Sequence, residues 1–139
     1  MFEGNGFGKT LGILHKTMDV STLRREVISN NISNSDTPNY KRSEVNFEAE
    51  MARVLRNEDK KVRPEAAMSD PRHISFNHSK SYKDVHPSIH LDHLTTTKNN
   101  GNNVDIEVEM MNALENQMRY QLLSQMVAGK FNKINMVVR

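Results

Sequence analysis

Histidine is the residue type in this chain whose clustering most resembles a site for chemistry. Five of the six histidines lie between His73 and His93, and imidazole nitrogens are common ligands of zinc and other transition metals. A metal centre could be built from His86, His90 and His93. Pro87, however, breaks any helix that would place His86 and His90 on one face, and no carboxylate stands at a ligand spacing such as HExxH. The pattern therefore favours exposed loop histidines, and a His-cluster metal-binding protein remains an alternative.

Four carboxylates form a second group that could do chemistry, in this case general acid–base catalysis. They are Asp105, Glu107, Glu109 and Glu115. They lie near the start of a predicted helix, where the helix dipole stabilises negative charge, and a pocket that would shift their pKa values is hard to build in this chain. The sequence contains no GxSxG, P-loop or Rossmann signature. We therefore predict no enzyme, no catalytic or metal-ligating residue and no cofactor.

The charge balance and the hydropathy pattern argue against two classes of partner. The 139 residues include 19 basic and 17 acidic ones, for a net charge of +2, whereas a nucleic-acid binder normally carries a concentrated basic surface. No run approaches the roughly 20 apolar residues of a membrane span, and the first 16 residues lack the apolar segment of a cleaved Sec signal. The chain has no Cys, which excludes disulfides and a thiol nucleophile. We expect neither nucleic-acid binding nor direct membrane insertion.

The low hydrophobicity of the chain predicts that partners supply part of its apolar burial. Only 36% of residues are hydrophobic and 6% are aromatic, and the mean hydropathy is -0.70. Such a chain has difficulty burying enough apolar surface to offset the entropy lost on ordering. We therefore expect long helices and a polar middle region.

A first helix is predicted from about Lys9 to about Asn34, because apolar residues recur there at steps of three and four. These residues form two runs with such steps, first Leu11, Leu14 and Met18, then Val20, Leu23 and Val27. Pro38 is expected to end the helix, since the residue before a proline is displaced from the α region.

A second helix, from about Val104 to Val137, is predicted by a longer apolar stripe with the same steps. The stripe comprises Val104, Val108, Met111, Leu114, Met118, Leu122 and Met126. The first helix is the only comparable apolar element, so we expect the two helices to pack as a coiled-coil-like pair. Two helices alone cannot cover both stripes, and part of each is expected to face other subunits.

The segment between the two helices is predicted to be irregular. It contains a short helix at Phe47–Leu55 and brief alternation, compatible with extended segments, at Ile74–Phe76 and Ile89–Leu91. The predicted fold class is mainly α, with long N- and C-terminal helices paired as a coiled-coil-like elongated unit around a middle region of low β content. The predicted segments are 1–40 and 104–139, which form one helical domain, and the charged linker 41–103.

Residues 29–42, SNNISNSDTPNYKR, resemble the N-terminal signature of the bacterial flagellar axial proteins, the rod and hook family. That signature reads approximately A-x-N-I-A-N-x-x-T-P-G-Y-K-R. The matching residues are Asn31, Ile32, Asn34, Thr37, Pro38, Tyr40, Lys41 and Arg42. Ser33 replaces the usual Ala and Asn39 the usual Gly, and both changes are mild because Asn tolerates the left-handed conformation that Gly adopts.

The C-terminal helix independently resembles that of the same family. The similar pieces are Gly101-Asn102, Val104-Asp105, Glu109-Met110, Glu115-Asn116, Tyr120-Gln121 and Lys130-Phe131. The short chain and its uninterrupted SDTPNYK favour a proximal rod protein over the longer distal rod and hook proteins. Another short rod subunit (FlgC-like) and, from a different class, a soluble helical adaptor or chaperone are the alternatives.

The resemblance implies a structural role in the rod of the flagellar basal body. The two terminal segments would form the inner coiled-coil domain, packed helically around a central export channel, in a periplasm-spanning rod that transmits torque. Export would use the flagellar type III apparatus without signal cleavage. The implied partners are further copies of the chain, neighbouring rod proteins (FlgC-like and distal), the adaptor FliE and the export gate.

The residues expected at subunit interfaces or in the signature come from three places. On the first helix they are Leu11, Leu14, Met18, Leu23 and Val27; in the signature, Asn30, Asn31, Ile32, Asn34, Thr37, Pro38, Tyr40, Lys41 and Arg42; on the second helix, Val108, Met111, Glu115, Asn116, Met118, Tyr120, Leu122 and Met126. The asparagine amides are expected to bond across subunits, and Tyr40 to Arg42 to direct the chain toward a neighbour.

Overall fold

The computed structural model describes residues 6–58, 70, 81–97 and 99–138. Its elements in chain order are α1 (Gly6–Ser33), β1 (Ser43–Asn46), α2 (Glu48–Glu58), a 3-10 turn (Tyr82–Asp84), β2 (Ser88–Leu91) and α3 (Ile106–Val138). The predicted fold class is confirmed: the fold is mainly α, with a long helix near each end and only two short strands among the described residues between them.

The two long helices begin and end close to the predicted residues. α1 begins at Gly6, three residues before the predicted start, and α3 begins at Ile106, two residues after it. The start of α3 is set by Asp105, whose side-chain Oδ1 accepts a hydrogen bond of 2.9 Å from the Glu107 backbone N–H. A carboxylate in this position satisfies a backbone donor that the first turn of a helix leaves without a partner.

The chain forms two compact units. One unit contains the two ends of the chain, up to Val45 and from Ser88 onward, and the other contains the segment from Asn46 to Pro87. The predicted segments 1–40, 41–103 and 104–139 were defined by their expected roles in assembly. That division stays a prediction.

In the first unit α1 and α3 pack against each other in antiparallel directions. The Lys130 ammonium lies 5.8 Å from the centre of the Phe7 ring, and Asn116 Nδ2 donates to the Ser21 carbonyl over 2.8 Å. The spacing between these two contacts is the same on both helices, so the helices run side by side in constant register. On α1 the buried residues are Val20, Ser21, Val27, Ile28 and Asn31.

The second unit is built around α2. Phe47, Met51 and Val54 are buried there at helical spacing, and Val85, just after the 3-10 turn, is 1% exposed. The predicted short helix at Phe47–Leu55 is confirmed, although it runs from Glu48 to Glu58.

The described β structure is a sheet of two strands, β1 and β2. β2 confirms the extended segment predicted at Ile89–Leu91. β1 was not predicted, because Glu44 and the neighbouring charges made this stretch look like part of a solvated linker. The segment predicted at Ile74–Phe76 lies outside the described residues.

Candidate functional site

The outer face of α3 carries a row of exposed apolar side chains, which we call the α3 stripe. Its members are Val108, Met111, Leu114, Met118, Leu122 and Met126, each between 49% and 67% exposed. At 3.6 residues per turn they fall within about 120° of one another around the helix axis. The six residues therefore lie on one side of the helix, which they share with the exposed Glu115 and Gln125.

The side of α3 that meets α1 is a different face. It contains the two buried residues of α3, Glu109 and Asn116, and the half-buried Leu123 and Val127, which lie about 140° around the axis from the centre of the stripe. The expectation that the stripe would pack in part on α1 is wrong for these six residues. Periodicity identified residues that share a face, but it carried no information on which neighbour covers that face.

The other predicted interface residues of α1 and α3 differ in how far they are buried. Leu11, Leu14, Met18 and Leu23 are half-buried, whereas Val27 is 6% exposed and belongs to the core. On α3, Tyr120 is 41% exposed, and Glu115 is exposed and forms an ion pair of 2.6 Å with Arg119. Whether these residues contact other subunits stays a prediction.

The second feature of the first unit is a buried polar cluster, the polar junction, where the end of α1 meets the start of α3. Asn31 is 1% exposed. Its Nδ2 donates to the Ser43 carbonyl over 2.9 Å and to Glu109 Oε2 over 3.1 Å, while its Oδ1 accepts from the Ser43 backbone N–H over 3.1 Å. The amide of Asn31 thus bonds within its own chain, to the start of β1 and to α3.

Glu109 and Arg42 form the ion pair at the centre of the junction. Glu109 is fully buried, and Arg42 Nε donates to its Oε1 over 2.6 Å. Burial alone would lower the pKa of Arg42, but the hydrogen bonds to Glu109 and to Glu44 outweigh that effect and raise the pKa above its ordinary value. Arg42 therefore stays charged across the whole working pH range, and Glu109 keeps its charged partner.

A second part of the junction caps the end of α1. The fully buried Asn102 places its Nδ2 3.1, 3.0 and 2.9 Å from the carbonyl oxygens of Asn34, Ser35 and Thr37. These carbonyls lie at and just beyond the helix end, where backbone acceptors lack helical partners. The predicted end of α1, at about Asn34, is confirmed: the helix ends at Ser33, and Pro38 lies in the turn that follows.

That turn docks on the segment before α3 through two residues with positive φ. Asn39 has φ 61° and Gly101 has φ 80°, and the Asn39 backbone N–H donates to the Asn100 carbonyl over 3.0 Å. A Cβ at position 101 would lie 2.6 Å from Asn39 Oδ1, so only glycine fits there without displacement. The prediction that Asn39 can replace the family's usual glycine in a left-handed conformation is confirmed.

The remaining signature residues bond to their own chain or lie exposed. Tyr40 OH donates to Asn31 Oδ1 over 3.4 Å, and Lys41 Nζ donates to the Thr95 carbonyl over 3.1 Å. Asn34 Nδ2 donates to the carbonyl of Asn30. The exposed ones are Asn30, Thr37 and Pro38, while Ile32 is half-buried.

Sequence reasoning missed three residues of the junction: Asn102, Asn103 and Glu109. Asn103 Oδ1 accepts from the Arg42 backbone N–H over 2.7 Å. Asn102 and Glu109 stand in the pieces that resemble the family's C-terminal helix, which was the available signal. Glu109 was interpreted only as a helix-dipole residue, because nothing local to it indicates a partner 67 positions away.

The junction has little capacity for chemistry. A cleft of about 200 Å³ beside it is lined by three guanidinium and three carboxylate groups. They belong to Arg24, Arg42, Arg119, Glu44, Glu109 and Glu115. Because the charges balance, the cleft has no excess charge with which to attract an ion.

The histidines that are described lie at the surface. His86, His90 and His93 are exposed, and His73 and His78 lie outside the described residues. Within the part of the chain that the structure describes, no group of three or more His, Asp or Glu side chains is placed to hold a metal ion. None of the described helices combines the length and the apolar character that a membrane crossing needs.

Comparison with known proteins points to one family. A family model described as "Flagella basal body rod protein" matches residues 23–41, which include the end of α1 and most of the signature. The chain is 43% identical to the flagellar basal body rod protein FlgB of Borreliella burgdorferi over 97% of its own length and 99% of that protein. It is 41% identical to FlgB of Borrelia hermsii over the same shares, and 36% identical to FlgB of Bacillus subtilis over 95% of each chain.

Proposed function

The chain belongs to the FlgB family of flagellar basal body rod proteins, and we propose that it occupies the proximal part of the rod. As a structural subunit of the basal body rod, it acts by assembling with other rod components. Copies of the chain polymerise helically around the export channel, and the resulting tube transmits torque.

The observation that supports this proposal is the exposure of the α3 stripe. Between Val108 and Met126 the stripe follows the helix for about 27 Å, at 1.5 Å per residue. A row of six exposed apolar side chains of this length is unusual on a soluble monomer and is typical of a protein–protein interface. The stripe therefore contacts a neighbouring copy or a neighbouring rod protein, FlgC-like or distal.

A second apolar surface on the same unit supports an open assembly. Leu11, Leu14 and Met18 of α1 are half-buried; they fall within about 60° of one another around the helix axis, and they lie on a different element from the α3 stripe. Contact between two different surfaces of identical subunits is heterologous, and repetition of such a contact produces a helical filament unless the rotation closes a ring. In this arrangement Glu115, on the same side of α3, borders the contact, while the signature and the buried Asn116 hold the two helices in register.

The route to the rod and the proximal partners complete the proposal. The subunit is exported by the flagellar type III apparatus without cleavage of a signal peptide, and the rod that it joins spans the periplasm. FliE and the export gate contact the proximal end. These assignments are supported by the resemblance of the signature and of the C-terminal helix to those of the rod family. The role requires no catalysis and no cofactor.

The proposal is tested by fractionation of cells that carry a tagged copy of the chain. We expect the chain to purify with basal bodies after detergent extraction, and to be lost from them when rod assembly is blocked. Because the chain has no Cys, a Met118→Cys variant adds a crosslinking site without background from its own thiols. With a photoactivatable crosslinker on this thiol, each subunit can link to the different surface of its neighbour, and a ladder of crosslinked products in the basal-body fraction is expected. A chain that stays in the soluble fraction as a monomer or dimer would instead indicate an adaptor or chaperone.

A further inference from the structure

We propose that Met111, Met118 and Met126 form a site of oxidative modification that controls whether a subunit can enter the rod. We call these three residues the methionine row. The inference rests on the proposed function, because it takes the α3 stripe to be the surface that is buried on assembly. The reagent is a peroxide, with hydrogen peroxide as the probe.

The methionine row is set apart from the core methionine of the second unit by accessibility. The side chains of Met111, Met118 and Met126 are 67%, 55% and 56% exposed, whereas Met51 is 5% exposed. Sulfur oxidation follows access of the reagent, so the row and Met51 differ in the property that governs their reaction. Met51 is therefore an internal control within the same chain.

The positions of the three residues place their sulfur atoms on one surface. The steps along the sequence are seven and eight residues, close to two turns of an α-helix each, so the row runs along the stripe. The members of the stripe that lie between them are Leu114 and Leu122, whose side chains have no hydrogen-bond donor. Each sulfur therefore has an apolar stripe neighbour one turn away, at Leu114 or Leu122.

The chemical step is a two-electron oxidation of the thioether. A sulfur lone pair attacks one peroxide oxygen; the S–O bond forms as the O–O bond breaks, and the departing hydroxide takes up a proton to leave as water. Sulfur is oxidised and peroxide is reduced, with methionine sulfoxide and water as products. The product is polar, in place of a flexible apolar side chain, and disrupts interfaces that depend on methionine.

The consequence for assembly follows from the cost of burying a polar group without a partner. A sulfoxide on the stripe is solvated in the free subunit but loses that solvation in the interface. Oxidised subunits are therefore excluded from the rod, whereas subunits that are already assembled have their sulfur atoms shielded. The free subunit is therefore sensitive to oxidant, and the assembled subunit is protected.

Site selectivity is tested first, on the purified full chain. After brief treatment with hydrogen peroxide, peptide mass spectrometry measures the added oxygen at each methionine. We expect the row to react at least about tenfold faster than Met51, in accordance with its exposure. Equal rates, or a faster rate at Met51, would overturn the proposal.

Assembly is tested with two variants that cannot be oxidised at chosen positions. One replaces the row, M111L/M118L/M126L, and the matched control replaces the core residue, M51L. Each is expressed in cells without the wild-type chain. The quantity measured is the ratio of chain in basal bodies with and without sublethal peroxide, so that any change in untreated assembly cancels.

We expect peroxide to lower this ratio several-fold for wild type and for M51L, and to leave it near one for the row variant. Equal losses in all three chains would overturn the inference, because other methionines of the flagellum would then be responsible. Failure of the proposed function is distinguishable, since wild-type chain would then be absent from basal bodies without any oxidant.

Discussion

The polar junction and the α3 stripe both include residues from the first turns of α3. The junction buries polar groups, whereas the stripe exposes apolar ones. Glu109 is fully buried, and Met111, two residues later, is 67% exposed. In an ordinary globular protein the polarity of these two environments would be reversed. The difference indicates that the chain uses hydrogen bonds and an ion pair to hold its own fold, and it supports the proposal that the exposed apolar surface contacts other subunits.

The junction also explains how the two long helices keep one register. A polar cluster is satisfied only when each donor faces its acceptor, whereas apolar side chains tolerate sliding. Asn31, Arg42 and Glu109 meet at one end of the helix pair, and Asn116 bonds to Ser21 further along. We expect these bonds to set the alignment and the stripe to contribute little to the stability of the isolated subunit.

The largest expected effect on stability comes from removing the buried carboxylate. Glu109→Ala removes the buried acceptor of Arg42 and Asn31, which keep their bonds to Glu44 and Ser43, and the free energy of unfolding should fall by up to about 3–5 kcal/mol. Urea denaturation followed by circular dichroism measures the change. The matched control is Glu115→Ala, which removes an exposed pair of the same length and should cost less than about 1 kcal/mol. Similar losses in the two variants would contradict a structural role for the buried pair.

Smaller changes in the free energy of unfolding are expected when a glycine is replaced by alanine. The change should be a decrease at Gly101 and an increase at Gly129. Gly101→Ala should lower the free energy of unfolding by about 1–3 kcal/mol, because the backbone has positive φ and the new Cβ meets Asn39. Gly129→Ala adds its Cβ in open space on α3 and should raise the free energy of unfolding by up to about 1 kcal/mol. Thermal denaturation of both variants measures the two changes in stability, one at the turn beside the junction and one on the exposed part of α3. A neutral Gly101→Ala would mean that the docking of the two turns is loose.

The smallest effect concerns the loop that borders the junction. The Thr95 hydroxyl donates to Asp92 Oδ2 over 2.6 Å, and this hydrogen bond lowers the pKa of Asp92 below its ordinary value of 3.8. The stabilisation from a lowered pKa is present above the ordinary value and is lost as pH falls through the folded-state pKa. Nuclear magnetic resonance titration of Asp92 should therefore show a midpoint below 3.8. Thr95→Val should move that midpoint upward. An unchanged midpoint would show that the Thr95 hydroxyl does not cause the lowered pKa of Asp92.

The helices and the stripe were predictable because their signal is local. Leu11 to Val27 and Val108 to Met126 repeat at helical steps, and both segments are helical in the structure. The left-handed turn at Asn39 was also predictable, since few residue types tolerate that conformation. In each case the information lies within a few residues of the feature.

The junction was not predictable from periodicity, because its bonds connect distant parts of the chain. Asn102 bonds to carbonyls 65 to 68 positions away, and a polar residue gives no periodic signal that names its partner. The sequence also did not predict that the α3 stripe faces away from α1, for a related reason. An apolar face must be covered, but the sequence of one subunit does not distinguish cover by α1 from cover by another copy.

The central claim, that the α3 stripe is an assembly surface and not a part of the subunit's own core, is tested most directly by one charged substitution. Leu122→Asp places a carboxylate on the stripe at a residue that is 56% exposed, and Gln117→Asp places the same group on an exposed position of α3 outside the stripe. The measurement is the amount of each chain in purified basal bodies, with helix content of the purified subunit measured in parallel. We predict that Leu122→Asp keeps its helix content but is absent from basal bodies, while Gln117→Asp assembles. Wild-type amounts of Leu122→Asp in basal bodies would contradict the account.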